Sequence, residues 1–179
     1  MLKQTGAALG LVLVCTSPAW AQLARNSSAP VDLTADELEV ANADCLAIWK
    51  GSAEALQDTS RLRADVLKIQ YQKGPPKAGE TGQHCGGDVA SMDAAGNVFY
   101  VTPQQRVRGD AAVYTAADDT IVFTGDVIAV QGQNVLRGNR LVVNVKNNTA
   151  QMQTNSKGRN AAGRVRGVFY PNKKTQADK

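Results

Sequence analysis

The chain has 179 residues, 43% of them hydrophobic and 20% charged, which supplies a sizeable core and excludes bulk disorder. Lys and Arg outnumber Asp and Glu by 20 to 16, for a net charge of +4. One His and three Cys exclude multi-His metal centres and a four-cysteine zinc site, and any Ser-His-Asp triad would depend on His84 alone.

The first expected element is an export signal at residues 1–21. Lys3 provides the positive start, Gly6 to Val14 an apolar core of nine residues, and Ala19-Trp20-Ala21 the small-x-small cleavage pattern. Nine residues are too few to span a bilayer. Cys15 invites a lipoprotein reading, but Val14 stands where a lipidation signal needs a small residue. Cleavage after Ala21 leaves 158 residues in an oxidising compartment, with no later run apolar enough for a transmembrane helix. Cys45 and Cys85 then remain as an even pair, which reads first as a disulfide. Two free thiols, or a metal site completed by His84, are the alternatives.

The body of the chain is a repeat. Residues 36–71 align without a gap on residues 110–145, matching Asp36 to Asp110, Gly51 to Gly125, Leu62-Arg63 to Leu136-Arg137 and Leu67 to Leu141. A shorter phrase recurs inside this one: Asp32-Leu-Thr-Ala-Asp36, Arg61-Leu-Arg-Ala-Asp65, Arg106-Val-Arg-Gly-Asp110, Val135-Leu-Arg-Gly-Asn139 and Arg164-Val-Arg-Gly167. The spacing is 29 residues except once, where it is 45; the 16 extra residues fit the Gly-, Pro- and Lys-rich stretch 72–87, read as an inserted loop. A disulfide to Cys85 would tether that insert to the first repeat.

Each 29-residue unit has room for about four short strands. Ile121 to Thr124, Val127 to Val130 and Leu141 to Val145 are β-branched runs, separated by turn-like sequences at residues 116–119, 124–126 and 146–148. Residues 33–43 alone carry a helix-like start, with Thr34 followed by Glu37, but their aligned copy reads as strand. Sites charged in either copy are expected to face water, among them Glu37, Glu39, Lys50, Glu54, Lys68 and Arg140. Sites apolar in both are expected to face inward and alternate with period two. The inward set includes Ala47, Ala53, Ala55, Ala112 and Ala129, small residues that leave space, and takes in Met92, Ala94 and Val107.

These phrases, in register behind an export signal, resemble the OstA-like (LptA) family of periplasmic lipopolysaccharide-transport proteins, over residues 30 to about 152. The resemblance implies an all-β jellyroll of two antiparallel sheets packed in a V, here residues 30–154. It implies binding of the lipid A part of lipopolysaccharide between the sheets, and a bridge from inner to outer membrane. The implied partners are LptC-like inner-membrane and LptD-like outer-membrane proteins, joined by strand-edge addition, with head-to-tail self-association by the same edges. It implies no catalytic residue and no cofactor, and energy from a separate ATPase. The expected lipid groove is then Leu38, Val40, Trp49, Leu62, Leu67, Ile69, Val98, Tyr100, Tyr114, Ile121, Phe123, Val127, Leu136, Leu141 and Val143. The long insert and the cysteine pair depart from the family pattern.

Residues 155–179 carry a net +6, leaving −3 for residues 22–154. The basic segment contains a last expected strand near residues 164–170. It allows an alternative reading as an exported polyanion binder, although aromatic residues are not interleaved with its charges and nucleic acid is not expected. Arg63, Arg108 and Arg137 are weaker candidates for headgroup contacts. A second alternative is the soluble domain of an LptC- or LptD-like protein.

Overall fold

The computed structural model describes residues 29–74, 84–147, 149–159 and 161–171; the expected export signal and the end of the basic segment lie outside these. The described residues form ten strands: β1 (Asp32–Thr34), β2 (Glu37–Ala41), β3 (Leu46–Gln57), β4 (Ser60–Gly74), β5 (His84–Val101), β6 (Gln105–Thr115), β7 (Thr120–Gln131), β8 (Asn134–Asn144), β9 (Thr149–Gln153) and β10 (Arg166–Val168). All pairs are antiparallel and follow chain order from β3 to β8. No helix among the described residues is long and apolar enough to cross a membrane.

The expected short strands are in fact halves of long ones. β3 to β8 each run 11 residues or more, and the pairing register slips in the middle of every adjacent pair. The slips fall between Lys50 and Ala53, Arg63 and Val66, Ala95 and Val98, Arg108 and Ala111, and Thr124 and Val127. Bulges bend a strand and increase its twist. In line across the sheet they form a crease, which divides one hydrogen-bonded sheet into two half-sheets. The outer strands respect the crease. β1 pairs with β3 on one side of it and β2 on the other, while β10 and β9 divide β8 in the same way.

The repeated phrase builds this crease. Its fifth residue is Asp36, Asp65, Asp110 or Asn139, and each meets a residue of the neighbouring strand. Gly51, Gly96 and Gly125 have positive φ (80°, 77° and 99°), and a Cβ on any of them would collide with the carboxylate of Asp36, Asp65 or Asp110 respectively. The Asp126 backbone N–H donates to Asp110 at 3.3 Å, and the Asn97 amide donates to Asp65 at 3.0 Å. In the last copy Thr154 takes the glycine's place and donates its hydroxyl to Asn139 at 2.6 Å. Residues 124–126 are therefore no chain reversal. They are a mid-strand bulge, because a glycine at positive φ serves both purposes and the sequence does not distinguish them. The turn-like sequence at residues 116–119 does reverse the chain.

Cross-strand partners share a face, so apolar positions add up into rows. One row is Leu38, Trp49, Leu67, Ala94, Ala112, Phe123, Leu141 and Met152, and beside it runs Val40, Ala47, Ile69, Met92, Tyr114, Ile121, Val143 and Ala150. Beyond the crease the row is Leu33, Ala55, Leu62, Tyr100, Val107, Ala129 and Leu136. The buried core is drawn from these rows, and Val98 and Val127, next to the crease, are fully buried.

Two expectations need correction. The stretch 72–87 is not wholly a loop, because its two ends prolong the β4–β5 hairpin, with Lys73 opposite Cys85 and Gly74 opposite His84. Glycine and lysine lower strand propensity, but hairpin pairing overrides it here. The last strand is shorter than expected, three residues instead of residues 164–170. Cys45 and Cys85 form the disulfide, with Cα atoms 5.3 Å apart, and this removes both thiolates from any metal reading. Residues 33–43 hold the end of β1, all of β2 and the start of a turn, with no helix.

Candidate functional site

The two half-sheets face each other across an apolar trough. A cavity of about 270 Å³ lies between Ala55, Leu62 and Tyr100 on one wall and Met92, Ala112, Tyr114, Ile121 and Phe123 on the other. A second, of about 460 Å³, lies between Val107, Ala129 and Leu136 on one wall and Ile121, Phe123, Leu141 and Val143 on the other. Tyr100, Ile121 and Phe123 line both, so the cavities meet at a waist where the Tyr100 and Phe123 rings sit 6.3 Å apart and tilted by 38°. The trough exists because period-two alternation sends every apolar row to the same side of a sheet that is creased but not closed into a barrel.

Eight of the fifteen expected groove residues line these cavities: Leu62, Tyr100, Tyr114, Ile121, Phe123, Leu136, Leu141 and Val143. Leu67, Ile69, Val98 and Val127 are buried but line neither cavity, and Trp49 is partly buried against the same core. Leu38 and Val40 lie in the inward rows yet are 47% and 56% exposed, because β2 ends its half-sheet and no further strand covers them. Lining residues outside the expected set include Val31, Ser60, Val89, Thr149 and Phe169. Phe169 follows the last copy of the repeated phrase, and that position was the available signal for it.

The charges stay off the trough. Arg63 and Arg61 both reach Glu54, at 3.1 and 3.0 Å, and Arg137 forms a two-pronged bond to Asp126 at 3.0 and 3.1 Å. All three arginines are exposed on the opposite face, as is Arg108. Lys50 donates to Glu39 at 2.7 Å across β2 and β3, which holds the Glu39 carboxyl below its ordinary range. Lys157, Arg159, Arg164 and Arg166 are exposed. Among the described residues no cluster of His, Cys, Asp and Glu could hold a metal ion.

Polar side chains are few in the first cavity, whereas Thr102, Gln104, Gln105, Gln131, Asn134 and Thr149 also line the second. Gln57 donates to the Ala29 carbonyl at 3.0 Å, and the Tyr114 hydroxyl donates to Asp119 at 3.3 Å. Tyr100 is 4% exposed, and its hydroxyl has the Ser60 side chain near it but no hydrogen bond of good geometry. Burial pushes its phenol above the ordinary range, and the nearby Ser60 side chain opposes this only in part. A buried hydroxyl without a partner costs about 1–3 kcal/mol. Chemically the trough offers a mostly apolar, elongated, open-ended surface with Tyr100, whose hydroxyl is weakly paired, at its waist, and strand edges at both ends.

Comparison with known proteins agrees with this architecture. The family described as LptA/(LptD N-terminal domain) LPS transport protein matches residues 32–162. An uncharacterized protein of Rhizobium meliloti is 26% identical over 138 residues, covering 76% of this chain and 72% of its own. The crystal structure of LptH, the LptA-homologous periplasmic component of the lipopolysaccharide transport device of Pseudomonas aeruginosa, superposes with a TM-score of 0.62. That match covers 81% of this chain and 98% of LptH at 14% identity, a likeness of fold.

Proposed function

This chain belongs to the LptA/LptD N-terminal family of lipopolysaccharide transport proteins, and on that premise we propose that it holds lipopolysaccharide by its lipid A acyl chains and carries it across the periplasm. The family transports and does not catalyse. The observation that carries the reading is the trough, whose apolar rows run along both sides of the crease and whose two cavities share Tyr100, Ile121 and Phe123. An acyl chain in water loses about 0.8 kcal/mol for every CH₂ not buried, so a multi-chain lipid needs such a surface throughout its transit. The export signal at residues 1–21 delivers the protein to the periplasm.

The bridge to the membranes follows from the edges. β1 and β2 end the sheet at one side, and β9 and β10 at the other. Their outer N–H and C=O groups accept a further strand, and adding one extends the apolar rows into the partner. The partners are an LptC-like protein toward the inner membrane and an LptD-like protein toward the outer membrane.

Photo-crosslinkers at Ile121, Phe123 and Leu141 test the reading. They are expected to capture lipopolysaccharide in cells, while crosslinkers at Glu54 and Lys68 on the opposite face are not. Equal capture from both faces overturns it. Depletion of the protein is expected to stall lipopolysaccharide at the inner membrane.

A further inference from the structure

We propose that the Tyr100 hydroxyl donates a hydrogen bond to an acyl carbonyl of the bound lipid, so that the trough prefers acyl esters and amides to chains lacking a carbonyl. The inference rests on the lipid-holding function proposed above and deepens it.

Four side chains bring polar atoms to the first cavity: Gln57, Ser60, Tyr100 and Tyr114. Gln57 and Tyr114 are engaged with Ala29 and Asp119. The Tyr100 hydroxyl is buried beside the Ser60 side chain and makes no hydrogen bond of good geometry. Phenylalanine would make the same ring contact with Phe123 without leaving a buried donor unsatisfied. Tyr100 also stands at the waist, on the wall of both cavities, so a chain lying along the trough passes its side chain. Desolvation keeps the phenol protonated, hence a donor. Trp49 Nε1 is likewise buried without a partner, but Trp49 lines neither cavity. An acyl carbonyl is a strong acceptor placed beside a long apolar chain, which matches a weakly paired donor on a mostly apolar cavity wall. An ether or alkyl chain of equal length fills the same space and leaves the donor without a carbonyl partner.

The test uses the full mature chain and three probes: purified lipid A, a palmitoyl lysophosphatidylcholine, and its ether-linked analogue, which differs by the carbonyl. The wild type is expected to bind lipid A and to prefer the ester to the ether by about five- to tenfold, the worth of one neutral hydrogen bond. Tyr100→Phe is expected to erase that preference. Its urea midpoint is expected to match or exceed that of the wild type. A variant that keeps the full preference, or a wild type that shows none while binding lipid A, overturns this inference and leaves the transport reading intact. A wild type that binds none of the three overturns both. Should the variant fold poorly, the ester-to-ether ratio of the wild type still decides.

Discussion

Gly125 sits at φ 99° under the carboxylate of Asp110, and two other copies of that arrangement line up with it across the sheet. Alanine at this position meets both an unfavourable backbone and a carboxylate that must move, so Gly125→Ala is expected to cost about 3 kcal/mol. Gly132 also has positive φ (57°), but in open space, and Gly132→Ala is expected to cost only about 1–2 kcal/mol. Urea unfolding of the two variants checks this, and equal losses would remove the crease from the argument. The Asp and Gly repeats are visible in the sequence. Their role is not, because Asp and Gly also mark ordinary turns and the partner strand that decides between the readings lies 15 residues away for Asp110 and 31 for Asp65.

Among elements, the β4–β5 hairpin is the longest, and the disulfide ties its far end to the turn before β3. Cys45 is buried, and the Tyr71 backbone N–H donates to the Cys45 carbonyl at 2.8 Å, so the bridge reinforces a corner already docked. Closing a separation of 40 residues is worth on the order of 3–4 kcal/mol in the chain-entropy model. Replacing both cysteines by serine is expected to lower stability by about that amount in urea melts, and to speed hydrogen exchange in residues 42–45 and β2. Unchanged exchange there would mean that β2 holds its place without the bridge. Cysteine count and compartment made the pairing legible, whereas the strand character of the insert's ends depended on a hairpin register that composition conceals.

At the scale of the whole molecule, the proposed function rests on a trough with unfinished ends. Leu38 and Val40 continue the inward rows at one end, and Phe169 and Tyr170, 66% and 58% exposed, stand near the other. Substituting Leu38→Lys with Val40→Lys is expected to leave folding stability within about 0.5 kcal/mol, since neither is buried. It is expected to weaken the proposed head-to-tail association and the proposed docking to an LptC-like partner at least tenfold, as read by sedimentation and pull-down. Association that survives unchanged would move the joint to another surface. The sequence by itself determined the all-β class, the repeat and the side on which each residue lies, because strand geometry alternates faces with period two and the repeated copies report which face is wet. Only the tertiary structure decided that the half-strands are continuous, that a row of Asp and Gly residues creases them, and which inward residues fill core rather than cavity. Those outcomes depend on the bulges lining up across neighbouring strands and on the space left between two walls, and neither is a property of any one segment.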